Sequence, residues 1–303
     1  MKKIILIISI FVISQISAQQ KITLWEKGKM PNSKGLKLKT IEEKEGRITQ
    51  IQEPELVAFL PAKEERNKMA VIIIPGGGYH HLTYDLGGYS YAKWLNTLGI
   101  SAFVLNYRLP TSPDLKQREI SPLQDIQAAI KFIRKNAAQY GISTNQIGVL
   151  GTSAGGHLAA MTSDISTDYT ELKGDWQNYS TIPDFAILIS PVIDLGEFAH
   201  KGSRINLLGE NASEEKIKEY SMQNRVTEKT PPTILFHAQN DPAVPVINSI
   251  LYYEAMIQKS VKGAMFIFPE GEHNIGIGNK AELTDNWKKV CADWLKQLSK
   301  KSN

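Results

Sequence analysis

Between residues 70 and 299, short runs of apolar residues alternate with longer segments in which apolar positions recur every three or four residues. Uniform apolar runs bounded by glycine, proline or asparagine suit strands covered on both faces, and the longer segments suit amphipathic helices. The pattern predicts core strands over 70–74, 101–107, 146–150, 185–190, 233–238 and 264–268, with helices over 89–98, 122–140, 155–162, 246–260 and 281–299. In the second helix Leu123, Ile126, Ile130, Ile133 and Ala137 share one face. Ser121 is placed to cap it with Pro122 in its first turn, and Gly141 to end it. Residues 48–60 read as an antiparallel hairpin or strand pair ahead of the sheet. The expected fold is therefore α/β, a mostly parallel central sheet with helices on both faces.

One stretch breaks the alternation. Residues 194–226 are polar, hold the run Gly202-Ser203-Arg204-Ile205-Asn206-Leu207-Leu208-Gly209, and carry a weak helical pattern over 213–224. Because they follow a core strand, and loops at the carboxyl ends of parallel strands border the ligand site, they are expected to form a lid or substrate wall and not a domain.

Residues 1–18 have the pattern of a cleavable export signal: Lys2 and Lys3, an apolar run from Ile4 to Ile13, then small or polar residues to Ala18. A buried first strand is the alternative reading. The run is too short to span a bilayer, so no stable membrane insertion is expected after processing. Residues 19–303 are then one domain, exported to the periplasm or the medium.

Composition narrows the function. With 42% hydrophobic and 22% charged residues the chain is of ordinary globular type. Its formal net charge of +4 falls by two on removal of Lys2 and Lys3, and no basic cluster with interleaved aromatics stands out. Nucleic acid is therefore not an expected partner. The single cysteine, Cys291, excludes an intrachain disulfide and reads as a core residue. No zinc-ligand spacing is present, and the chemistry below requires no metal or organic cofactor.

That chemistry starts at Gly151-Thr152-Ser153-Ala154-Gly155, a G-x-S-x-G sequence between a predicted strand and a predicted helix. A sharp strand-to-helix turn lifts the serine hydroxyl above the sheet, and small neighbours leave the turn room to close. A serine nucleophile needs an imidazole to take its proton, and the imidazole needs a carboxylate to fix its tautomer. Asp241 follows the strand over 233–238, and His273 follows the last core strand, in the chain order serine, acid, histidine. Asp194 is a rival for the acid. His157, four residues past the serine, is expected to pack beneath the turn. The run Pro75-Gly76-Gly77-Gly78-Tyr79 after the first core strand can aim several main-chain N–H groups at one point, as an oxyanion hole requires, with the amide of Ala154 as a further donor. A plain glycine turn is the alternative; a phosphate loop is not, because no Lys-Ser or Lys-Thr pair follows.

With these residues in hand the chain resembles the α/β-hydrolase superfamily, and within it the hormone-sensitive-lipase-like and bacterial acetylxylan/feruloyl esterase groups. The likeness is carried by Leu24-Trp25, the Pro75 to Tyr79 run, Asn106-Tyr107-Arg108, Pro122-Leu123-Gln124-Asp125, Ser153-Ala154-Gly155-Gly156-His157, Gly202 to Gly209 and Asp241-Pro242-Ala243-Val244-Pro245. The resemblance implies Ser153, Asp241 and His273 as triad, and Gly77, Gly78 and Ala154 as oxyanion donors. It also implies a serine esterase acting on acetyl or feruloyl esters of plant-type polysaccharides. Two departures stand out: Pro75 replaces the histidine of the lipase-like group, and Glu272-His273-Asn274-Ile275 lacks the glycines that usually flank the base. Arg108, Asp125 and Arg204 are expected to form structural ion pairs or to contact substrate. Rival functions are a lipase or peptidase of the same fold, a glycan-degrading enzyme named as a xylanase, and a non-catalytic binding module.

Overall fold

The computed structural model describes residues 20–43, 46–273, 275–277 and 281–301; the proposed export signal lies outside them. The strands are β1 (Gln20–Thr23), β2 (Ile41–Glu43), β3 (Arg47–Gln50), β4 (Glu55–Phe59), β5 (Ala70–Ile74), β6 (Ser101–Asn106), β7 (Ile147–Thr152), β8 (Ala186–Ile189), β9 (Thr233–Ala238) and β10 (Gly263–Phe268). The helices are α1 (Ser90–Thr97), α2 (Ser121–Lys135), α3 (Ala137–Tyr140), α4 (Ala154–Asp164), α5 (Lys201–Leu208), α6 (Glu214–Glu219), α7 (Ile247–Gln258), α8 (Glu282–Asp285) and α9 (Trp287–Lys301).

Eight strands form one sheet in the order β1-β4-β6-β5-β7-β8-β9-β10. From β6 to β10 every neighbouring pair is parallel, while β4 runs antiparallel to both β1 and β6. The six expected core strands are all present. The expected hairpin over 48–60 is not: β3 pairs with β2 in a separate two-stranded ribbon, and β4 enters the main sheet between β1 and β6. Local pattern shows that a segment is extended but not which partner, distant in sequence, will satisfy its N–H and C=O groups.

Alternation along β5 shows how the two cores are divided. Ala70, Ile72 and Ile74 belong to the larger cluster, with Ile126 and Ile130 of α2, Leu158 of α4 and Tyr252 of α7. Val71 and Ile73 belong to the other, with Tyr91 and Leu95 of α1 and Trp287, Cys291 and Leu295 of α9. All five β5 side chains are fully buried, as a strand with helices on both sides demands. The i, i+4, i+8 spacing of Trp287, Cys291 and Leu295 sets the buried stripe of α9. Burial pushes the Cys291 thiol pKa up, leaving it a packing residue.

Helix boundaries depart from the sequence reading where a side chain competes with the backbone. The helix expected over 122–140 is two: Asn136 Nδ2 donates to the carbonyl of Phe132 at 2.8 Å, and the chain leaves helical geometry there. Ser121 is inside α2 and is not its cap, because its Oγ accepts from Asn32 Nδ2 at 2.6 Å. Gly141, at φ 68°, ends α3 in the left-handed conformation. The helix expected over 281–299 is also divided, with Asn286 between α8 and α9.

Candidate active site

The order β6-β5-β7 places the reversal of strand order at β5, so the carboxyl ends of β5 and β7 bound the crevice where ligands bind in open parallel sheets. Ser153 leaves β7 with φ 54° and ψ −123°, a conformation costing a non-glycine residue about 1–3 kcal/mol. The two motif glycines permit it: a Cβ on Gly151 would lie 2.2 Å from the carbonyl oxygen of Gly155, and one on Gly155 would lie 2.1 Å from that of Ile74. The strained residue is braced by its N–H, which donates to Ile189 O at 3.1 Å, and by its carbonyl, which accepts from Val192 N at 3.1 Å.

Three distant parts of the chain meet at its hydroxyl. His273 Nε2 lies 2.9 Å from Ser153 Oγ, and His273 Nδ1 lies 2.7 Å from Asp241 Oδ2. The remaining oxygen, Oδ1, accepts from the N–H groups of Ala243 and Val244 at 2.9 Å each. Burial pushes the Asp241 pKa up, but hydrogen bonds from His237, His273 and the Val244 amide outweigh it and hold the carboxyl well below the usual range. An ionised acceptor at Oδ2 places the proton of His273 on Nδ1 and leaves Nε2 free to accept from the serine.

Sequence reasoning gave His237 no role. It stands inside β9, fully buried, with Nε2 3.0 Å from Val244 O and 3.2 Å from Asp241 Oδ2, and Nδ1 2.8 Å from Ser249 Oγ. Two acceptors at Nε2 put its proton there, so the ring holds the carboxylate from behind. A lone titratable residue in a wholly buried strand was the available signal. The rival acid Asp194 is engaged elsewhere, accepting from Phe198 N and Gln223 Nε2 at 2.8 Å each.

The glycine run lies against the serine turn: a Cβ on Gly76 would stand 3.0 Å from Ser153 Cβ. Gly77, Gly78 and Tyr79 all have positive φ, at 132°, 63° and 59°. The carbonyl of Gly76 accepts from Thr83 N at 3.0 Å, and that of Gly77 from His80 N and His81 N at 3.0 and 3.1 Å. In a trans peptide the N–H opposes the C=O, so the N–H groups of Gly77 and Gly78 point away from that turn. They and the Ala154 N–H have no acceptor among the described residues.

Tyr79 joins this loop to α4. Its hydroxyl lies 2.9 Å from His157 Nδ1, and His157 Nε2 lies 2.8 Å from the carbonyl of Tyr220. The carbonyl accepts from the Nε2–H, so the tyrosine hydroxyl donates to Nδ1. Burial outweighs the bond to Tyr220 and lowers the His157 pKa to about 4. Arg108 and Asp125 form a buried pair at 2.8 Å, with Trp25 Nε1 donating to the same carboxylate at 2.9 Å. Three of the resembling segments thus meet in one structural knot.

Residues 194–226 form a wall. They supply α5, α6 and a 3₁₀ turn over Met222–Asn224, and His200, Gly202 and Asn206 line a cavity of about 1240 Å³ together with Ser153 and His273. Asn206 Nδ2 donates to Gly78 O at 2.9 Å, tying this wall to the glycine loop. Sequence reasoning missed α5, whose start is capped by His200 and not by a serine or aspartate.

Fold and site together define an α/β-hydrolase carrying a Ser–His–Asp hydrogen-bonded relay. Comparison with known proteins takes this further: the chain belongs to the BD-FAE family, whose model matches residues 56–256. It is 36% identical over 249 residues to an acetylxylan esterase of Xylanibacter ruminicola, covering 80% of this chain and 48% of that protein. It is 32% identical over 234 residues to endo-1,4-beta-xylanase B of Butyrivibrio fibrisolvens, covering 77% and 36% respectively. The chain therefore spans half or less of the length of these two relatives. The solved structure of an acetyl ester-xyloside bifunctional hydrolase from Caldicellulosiruptor lactoaceticus matches with a TM-score of 0.77 at 34% identity, covering 92% of this chain and 96% of that one.

Proposed function

We propose that this protein is an exported serine esterase that removes acetyl groups from xylan-like polysaccharides, with Ser153 as nucleophile, His273 as base and Asp241 as the orienting acid. The observation that carries the reading is the relay from Asp241 through His273 to Ser153, formed beside three main-chain N–H groups that have no acceptor among the described residues. His273 Nε2 takes the serine proton as Oγ attacks the ester carbonyl. The N–H groups of Gly77, Gly78 and Ala154 stabilise the oxyanion, a contribution of about 10²- to 10³-fold in turnover per donor. His273 then protonates the departing sugar hydroxyl, and a water that it deprotonates releases acetate from the acyl-enzyme.

Acetyl, rather than feruloyl, is supported by the names of two relatives, an acetylxylan esterase and an acetyl ester-xyloside hydrolase. Export is supported by the pattern of residues 1–18. Mass analysis of acids released from acetylated, feruloylated and methyl-esterified glycans tests the substrate, and acetate is expected. Ser153→Ala should abolish hydrolysis of p-nitrophenyl acetate while leaving the circular dichroism spectrum unchanged. Reducing-sugar release from xylan without acetate would instead favour the glycosidase reading.

A further inference from the structure

The wall residue His200 brings a further imidazole to the site. It caps α5: Ser203 N donates to its Nδ1 at 3.2 Å, and Ser203 Oγ lies 2.8 Å from the same nitrogen. A backbone N–H has no acceptor role, so Nδ1 carries no proton and the neutral ring holds its hydrogen on Nε2. That Nε2 has no protein partner among the described residues, and His200 lines the same cavity as Ser153. Its ring lies next to the glycine loop, with Cε1 3.6 Å from where a Cβ on Gly78 would be.

The two imidazoles are therefore opposites. His273 has a carboxylate at Nδ1 and an acceptor nitrogen facing the serine; His200 has an N–H donor at Nδ1 and a donor nitrogen left over. Burial lowers the His200 pKa, which favours the neutral donor. With Nδ1 occupied by Ser203 and hydrogen on Nε2, it has no free lone pair to take the Ser153 proton, so its use is in binding.

A cavity of about 1240 Å³ is far larger than an acetyl group requires, and much of its lining can form hydrogen bonds, including His80, His81, Asn206, Asn240 and Glu272. We propose that His200 is a substrate-binding residue whose Nε2–H donates to a hydroxyl next to the scissile ester, so that the site favours esters of polyols over esters of simple alcohols. This rests on Ser153 being the nucleophile, but not on the alcohol being xylan.

Glyceryl monoacetate and propyl acetate share an acyl group and differ in their hydroxyls, so kcat/KM for the pair isolates the contact. His200→Asn and His200→Ser keep a residue able to cap α5 while removing the imidazole. In both variants kcat/KM for glyceryl monoacetate should fall about 5- to 10-fold, the range expected for one neutral hydrogen bond. Propyl acetate and p-nitrophenyl acetate should change less than about 2-fold. An equal loss on all three esters would overturn the proposal in favour of a role in positioning the glycine loop, and an unchanged rate on glyceryl monoacetate would overturn it outright. If the wild type hydrolyses none of the three and Ser153 resists a fluorophosphonate, it is the nucleophile assignment that fails, and the binding proposal falls with it. Turnover of glyceryl monoacetate without acetate release from acetylated xylan would refute the glycan reading alone.

Discussion

Asp241→Asn is the sharpest single perturbation, because the structure fixes which way the new amide must face. Oδ1 of Asp241 is held by two main-chain N–H groups, at Ala243 and Val244, and only an oxygen can accept both. The asparagine NH₂ would then occupy the Oδ2 position, 2.7 Å from His273 Nδ1. Donor would face donor unless His273 moved its proton to Nε2, and an imidazole protonated there cannot accept from Ser153. Loss of the correct tautomer in a triad of this kind costs about 10⁴-fold in kcat, equivalent to about 5 kcal/mol in activation free energy. Steady-state hydrolysis of p-nitrophenyl acetate reads the effect, and KM should change little because Asp241 is buried and does not line the cavity. Asp194→Asn is the control, with kcat expected within about 3-fold of wild type. A kcat for Asp241→Asn within 10-fold of wild type, or an equal loss in Asp194→Asn, would refute the reasoning.

Two further predictions concern stability. His157 is buried and neutral with its pKa lowered from 6.5 to about 4, so between these values the unfolded chain binds the extra proton. Stability from this residue is complete above about pH 6.5 and is lost as pH falls towards 4, by on the order of 3 kcal/mol. Urea unfolding of wild type and His157→Gln across pH 4–7 should show a shallower pH dependence in the variant, and superimposable slopes would exclude the assignment. Arg108→Met should cost about 3–5 kcal/mol, because it leaves the fully buried Asp125 without its guanidinium. Replacing both partners, as in Arg108→Met/Asp125→Leu, should recover part of that loss in the same assay, and a single-variant cost below about 1 kcal/mol would contradict it.

The parts of this molecule legible in the sequence are those set by local rules. The core strands, the glycines around Ser153 and the chain order of serine, acid and histidine follow from periodicity, steric need and the logic of proton transfer. What escaped depends on contacts between distant residues. β4 pairs with β1 and β6 rather than with its neighbour β3, and nothing within residues 48–60 specifies that choice. His237 and Asp241 are four residues apart, yet the strand ending between them lets the ring reach the carboxylate from behind, a geometry that spacing alone does not give. His200 was a histidine in a polar stretch until α5 formed and its first turn claimed Nδ1.

The imidazole of the relay hangs from the rim of the sheet. His273 follows β10, which among the described residues pairs with β9 alone and is the least covered of the parallel strands, whereas Ser153 rises from β7 in the deep interior. Fraying under mild heat or denaturant will begin at such a margin, so the proposed esterase activity should fall silent while most of the architecture is still standing.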